Sequence, residues 1–212
     1  ALLGGEPGIG KSTLMLQLSA FLSGAGETVL YATAEESAGQ IASRARRIGC
    51  ASGNILILPE TRLEEIESAL ERTGAGILIV DSIQTVYSEV LTSGPGSVAQ
   101  VRHCAAELVS LTKPRGKTSL IVGHVTKDGS LAGPKVLEHL VDTVIGFEGD
   151  SNRPHRLLRS LKNRFGPTNE LGVFEMTRQG LKGIAEASAF FLGRRQDGLS
   201  GGVVCAVMEG TR

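Results

Sequence analysis

The chain opens on a short apolar run, Ala1-Leu2-Leu3-Gly4. Gly5-Glu6-Pro7-Gly8-Ile9-Gly10-Lys11-Ser12 follows, and then a helical stretch from Thr13 to Leu22. A strand, a glycine-rich turn and a helix in that order commit a chain to an α/β layer, because the helix must return across the sheet that the strand belongs to. The turn is also a complete G-x-x-x-x-G-K-[ST] phosphate loop. Gly8 and Gly10 permit a turn tight enough for successive N–H groups to point inward. Lys11 reaches β/γ oxygens, and the Ser12 hydroxyl suits Mg²⁺. Gly5 and Thr13 complete the loop, and the helix N-terminus faces the phosphates. A chain with 28 glycines could match this pattern by chance, but a flanking strand and helix are not expected from chance.

Strand and helix patterns then alternate, which predicts a mostly parallel sheet covered on both faces. Strands are expected over Thr28–Ala34, Ile55–Leu58, Ile77–Asp81, Thr118–Gly123 and Asp142–Phe147. Helices are expected over Ser37–Ile48 with Ser37 as N-cap, Thr61–Arg72 and Val98–Thr112. Thr92–Ser97 and Thr126–Pro134 read as loops. His155–Asn163 and Leu171–Met176 read as an antiparallel hairpin. The expected fold is an α/β phosphate-loop core over residues 1–182, with the loss of period from about Gly183 marking the start of another unit or a linker.

Length suits one domain that buries roughly 70% of its unfolded surface. Twenty-two basic and twenty-two acidic residues cancel, so a nucleic-acid surface would have to be local and a membrane surface is not expected. Cys50, Cys104 and Cys205 are far apart, with no C-x-x-C and no metal spacing, which fits reduced thiols in the cytoplasm. The missing initiator Met, and a first residue already inside a strand, suggest a piece of a longer protein.

Candidate catalytic groups sit at strand ends. Asp81 ends an apolar strand, where it either holds Mg²⁺ through water or caps a turn. Glu35 and Glu36 end the second strand. One can orient the attacking water and the other can cap the next helix, and Glu35 is the expected water-orienting residue. His124 either senses the γ-phosphate or is a plain polar strand end. Between Ser151 and Asn169 there are five Lys/Arg and no Asp or Glu. Lys162 and Arg164, two apart on an extended strand, share a side. They are either a solvated basic edge or cations inserted beside a neighbouring subunit's γ-phosphate.

The phosphate loop is followed in order by five further segments. They are Ala34-Glu35-Glu36-Ser37, Val80-Asp81-Ser82-Ile83-Gln84-Thr85, Gly96-Ser97-Val98-Ala99-Gln100-Val101-Arg102, Gly123-His124-Val125-Thr126-Lys127 and Leu137-Glu138-His139. Together with Lys162-Asn163-Arg164-Phe165-Gly166 they resemble the bacterial RadA (Sms) branch of the RecA-like ATPases, over the whole chain. The resemblance implies an ATP- and Mg²⁺-dependent motor, assembled as a hexameric ring. Such a ring moves along single-stranded DNA during recombination and repair, as DnaB-type helicases do, with recombinases or other repair proteins as partners. It implies that Lys11, Ser12, Asp81 and Glu35 serve the subunit's own nucleotide, while Lys162 and Arg164 serve the neighbour's. DNA contacts are expected at Arg102, Lys127 and Lys135, on channel loops 92–102 and 126–135. The family's four-cysteine zinc module is not in this sequence, and of its Lon-protease-like domain only residues from about 183 would remain. The competing readings are a signalling ATPase of the circadian-clock type with protein partners, and the ATPase part of a Lon-like protease.

Overall fold

A computed structural model describes residues 1–33, 35–51, 53–124, 136–150 and 153–186. The chain runs β1 (Leu2–Gly5), α1 (Lys11–Gly24), β2 (Val29–Thr33), α2 (Ala38–Arg47), β3 (Ile55–Pro59), α3 (Leu63–Thr73), β4 (Ile77–Asp81) and α4 (Val98–Thr112). It continues through β5 (Thr118–His124), α5 (Val136–Leu140), β6 (Thr143–Glu148), β7 (His155–Asn163), β8 (Leu171–Thr177) and β9 (Gly180–Gly183). One nine-stranded sheet has the order β3-β2-β4-β5-β1-β6-β7-β8-β9. The pairings from β3 to β6 are parallel, and the last three strands are added antiparallel. This is the expected RecA-like arrangement with its terminal hairpin.

The central strands read as continuous apolar runs because both faces of the sheet are covered. Alternate residues go to opposite sides. Leu2, Leu30, Leu78, Val80 and Ile121 join Ile66, Leu70, Val101 and Leu108 from α3 and α4. Leu3, Val29, Tyr31, Ile79 and Val122 join Met15, Leu16 and Ile41 from α1 and α2. The parallel register brings the carboxyl ends of β1, β2, β4 and β5 together, aligning Gly5 with His124 and Thr33 with Asp81. Loops at such ends form the ligand crevice of open α/β sheets.

Helix starts follow local chemistry. Ser37 caps α2 in a reciprocal capping box with Gln40, and the Ser97 hydroxyl accepts from the Gln100 N–H at the head of α4. Most strand ends lie within a residue of expectation, and two differences have a physical reason. Helix α3 begins at Leu63 rather than Thr61, because Arg62 forms an isolated parallel bridge with Tyr87 and stays extended. Beyond the hairpin a third antiparallel strand, β9, lies at the sheet edge. The Gln17 side chain accepts from the Leu181 N–H at 2.8 Å and donates to its carbonyl at 2.9 Å, which satisfies backbone groups that an edge strand leaves open. That pairing depends on α1, so the short segment gives no signal of its own. Residues 126–135 and the stretch from 187 onward lie outside the described residues. Of the three cysteines, Cys50 and Cys104 are described, and both are free and buried.

Candidate nucleotide site

The phosphate loop follows β1 and is shaped by its glycines. Gly8 and Gly10 have φ of 76° and 112°, in the left-handed region, and a Cβ on Gly10 would collide with Met176 Cε on β8. Ile9, between them, is buried and pins the loop tip to the core. Helix α1 starts at Lys11 with no side-chain cap and no acidic residue in its first turn. Its N-terminal N–H groups and dipole are therefore available to an anion, unlike those of α2 and α4.

Lys11 is buried, and its ammonium donates to the Gly5 and Glu6 carbonyls at 2.8 Å each. It also lies 3.1 Å from His124 Nδ1. An ammonium can only donate, so Nδ1 is the acceptor and Nε2 carries the ring proton. That Nε2 is 3.1 Å from Glu35 Oε1, to which the Ser82 hydroxyl also donates at 2.6 Å. A relay thus runs Lys11–His124–Glu35–Ser82 across the ends of β1, β5, β2 and β4. The His124 hydrogen bond, helped by Ser82 and Lys11, holds the Glu35 carboxyl down to about 2, against partial burial that works the other way. Burial lowers the Lys11 ammonium, opposed by Asp81, Glu35 and Glu6.

The paired glutamates diverge. Glu36 forms an ion pair with Arg44 on α2 and takes no part in the relay. Asp81 is buried and accepts from the Tyr31 hydroxyl at 2.6 Å through Oδ2. Burial, reinforced by Asp81, raises the Tyr31 phenol well above its usual range and keeps it a donor. The Ser12 hydroxyl and the Asp81 carboxylate are hard oxygen donors suited to Mg²⁺. Among the described residues no cluster of three His, Cys, Asp or Glu could hold a metal alone.

Lys162 and Arg164 lie elsewhere. Lys162 pairs in register with Val144, which is level with Leu2 at the start of β1. That is three residues, about 10 Å, from the strand end that carries the loop. Its ammonium points farther away, donating to the Glu138 and Val141 carbonyls. Arg164 follows the end of β7 and pairs with Asp142 at 3.1 Å, a carboxylate it shares with Lys113 at 2.8 Å. Both cations face the segment between α5 and β6, as same-side spacing predicts, on the sheet edge opposite the chain's own phosphate loop. Asn163 Oδ1 accepts the Phe165 N–H and sets the turn that leaves Phe165 exposed. Arg102 is exposed on α4. Lys127 and Lys135 lie outside the described residues.

Four polar residues escaped the sequence reading. Tyr31 sits inside an apolar strand, and only its register opposite Ile79 places its hydroxyl at Asp81. Ser82 follows Asp81 without a pattern of its own. Arg156 is buried on β7, and its Nε donates to the Ile9 carbonyl at 2.8 Å. Gln100 is buried and ties down the backbone of Ser88, Leu91 and Ser93.

A family profile described as an AAA domain matches residues 1–130. DNA repair protein RadA of Bacillus subtilis (strain 168) is 52% identical over 211 residues, covering 100% of this chain and 46% of the relative. The proteins of the same name from Chlamydia trachomatis (serovar D) and Streptococcus pneumoniae (strain R6) are 49% and 50% identical, each covering 100% of this chain and 46% and 50% of the relative. The chain therefore spans about half the length of the curated relatives it matches. Among solved structures, one described as an ATPase domain superposes with a TM-score of 0.73 at 14% identity, covering 86% of this chain and 84% of that one. That likeness speaks for the fold.

Proposed function

The chain belongs to the bacterial RadA family of RecA-like ATPases, and on that premise we propose that it is the ATP-hydrolysing core of a DNA repair motor that moves along single-stranded DNA. The observation that carries this reading is the Lys11–His124–Glu35–Ser82 relay, assembled from four strand ends beside an uncapped helix N-terminus. The loop's N–H groups and Lys11 would bind the β- and γ-phosphates, with Lys11 exchanging the Gly5 and Glu6 carbonyls for phosphate oxygens. Ser12 and Asp81 would hold Mg²⁺, which would neutralise negative charge on the phosphates. Glu35 stays ionised and accepts a hydrogen bond from the water that attacks the γ-phosphorus, orienting it in line with the breaking bond. His124 touches both Lys11 and Glu35, so a change at either would reach the segment after β5. Residues 126–135 would carry that change to DNA, together with loop 92–102.

Lys162 and Arg164 are on the wrong edge of the sheet for their own triphosphate. We assign them to a neighbour's, which requires an adjacent subunit at that edge, and a hexameric ring is the proposed form. The ATPase domain is proposed to close at β9, with residues from about 183 opening a further unit. The reading is tested on the full-length protein by ATPase rate and particle mass with and without single-stranded DNA. It expects DNA to raise the rate, ring-sized particles, and loss of hydrolysis in Lys11→Ala. Replacing Arg102, Lys127 and Lys135 should weaken DNA binding on every sequence and flatten the log–log salt slope by about one per lost contact. A rate and mass indifferent to DNA would overturn the motor reading and leave the ATPase standing.

A further inference from the structure

Arg156 is a cation buried almost completely, with 4% of its surface exposed, and its hydrogen bonds to the described residues all go to main-chain carbonyls. One terminal nitrogen donates to three carbonyls at the β6–β7 turn, those of Asp150, Arg153 and His155. This fixes the guanidinium plane. The Nε–H is aimed across 147 residues of sequence at Ile9 O, 2.8 Å away. Burying a charge is costly unless its hydrogen bonds are made, and among the described residues this cation divides its bonds between the β6–β7 turn and the Ile9 carbonyl of the loop.

The Ile9 carbonyl belongs to the same peptide unit as the Gly10 N–H. That peptide is trans, so its C=O and N–H point in opposite directions. Holding the carbonyl toward β7 turns the N–H away from β7. Gly10 has φ of 112° and no side chain of its own to hold that conformation, so the bond at the Ile9 carbonyl adds a direct restraint on the unit's orientation. A charge on the carbonyl also polarises the peptide and strengthens its N–H as a donor. The Gly10 N–H makes no backbone hydrogen bond to the described residues.

We propose that Arg156 is a positioning residue for the phosphate loop, which aims and polarises the Gly10 N–H at the bound triphosphate from behind. The proposal rests on reading the loop as a triphosphate cradle. It extends that reading to a residue on the antiparallel part of the sheet, which couples the β6–β7 turn to nucleotide affinity.

The test uses the full-length protein with Arg156→Met, which keeps the stem and removes the donors, and Arg156→Lys, which keeps the charge and offers one donor at shorter reach. Affinities for Mg·ATP and for inorganic triphosphate are measured at a temperature where each variant is folded. The Met variant should bind both about 10–100-fold more weakly, the usual effect of losing a partner that orients a binding group. The Lys variant should fall between, about threefold to tenfold weaker, as for one impaired hydrogen bond. Equal losses for ATP and triphosphate locate the effect at the phosphates rather than at the base or ribose, and an unchanged urea midpoint in the Lys variant separates this from a general loosening of the fold. Parental affinity in either folded variant overturns the proposal, as does a loss confined to ATP. If the Met variant does not fold, the Lys variant decides on the same criterion. Parental protein that binds neither probe, or a Lys11→Ala variant that binds both unchanged, would instead overturn the reading of the site itself.

Discussion

Glu35 and Glu36 are adjacent in the chain and part company in space. Glu35 receives the His124 ring and the Ser82 hydroxyl, while Glu36 is spent on Arg44. Glu35→Gln should therefore leave Mg·ATP binding intact and slow turnover about 10²–10⁴-fold, whereas Glu36→Gln should stay near the parental rate. Steady-state kinetics with a binding isotherm separates the two, and a slow Glu36→Gln beside a normal Glu35→Gln would reverse the assignment. The same contacts set a pH dependence. The folded Glu35 carboxyl is depressed from an ordinary 4.5 to about 2. The stability it contributes as an anion is thus fully present above about pH 5 and disappears as pH falls toward 2. Urea titrations of parent and Glu35→Gln should differ by a constant amount above about pH 5 and converge below it. A difference that grew on acidification would contradict the bonding described.

Helix α4 and the loop before it depend on one side chain. The Gln100 amide donates to the Ser88 and Ser93 carbonyls at 3.0 and 2.9 Å and accepts the Ser88 N–H at 2.9 Å. A loop of Ser, Gly and Pro has few apolar contacts to hold it, and buried main-chain groups must find partners. Gln100→Leu fills the volume but orphans the Ser88 N–H, which alone should cost about 1–3 kcal/mol. Chemical denaturation reads the loss, and amide exchange should localise it to residues 88–93. If loop 92–102 contacts DNA as proposed, the variant should also lose stimulation by single-stranded DNA while DNA-free hydrolysis persists, since the relay at Glu35 makes no contact with Gln100. Unchanged exchange at 88–93 would show that the loop is held by something else.

Over the whole molecule the sheet separates two sets of cations. Lys11 works at the carboxyl edge of the parallel strands, and Lys162 and Arg164 gather at the opposite edge around Val141 and Asp142. Arg164 pairs with a carboxylate it shares with Lys113, so the proposed delivery to a neighbour's phosphate would exchange one anion for another. Replacing Lys162 and Arg164 with Ala should preserve ATP binding and remove most hydrolysis, in line with about 10³–10⁵ for a finger in trans. Mixing that double variant with Lys11→Ala should restore activity wherever an intact loop meets intact fingers. Mixed rings that form but stay inactive at every ratio would sink the trans assignment and leave a basic sheet edge.

The local signals carried much of the fold. The loop between a strand and a helix, the apolar runs of the buried strands, the Ser37 cap and the carboxyl-end positions of Asp81 and His124 were all legible. They depend on neighbours a few residues away, where period and residue type are informative. What the sequence could not supply were pairings set by register. These include Tyr31 with Asp81, His124 between Lys11 and Glu35, Gln17 with Leu181, and Arg156 with Ile9. Each joins side chains or main-chain groups on elements brought together only when the sheet forms. Nor does the spacing of Lys162 and Arg164, which correctly put them on one side, say which edge of the sheet that side faces. The chain determined by itself that a triphosphate cradle exists and which strand ends surround it. Strand order and register decided which glutamate turns inward, which arginine stands behind the loop, and that the two basic residues of β7 and its turn face away from it.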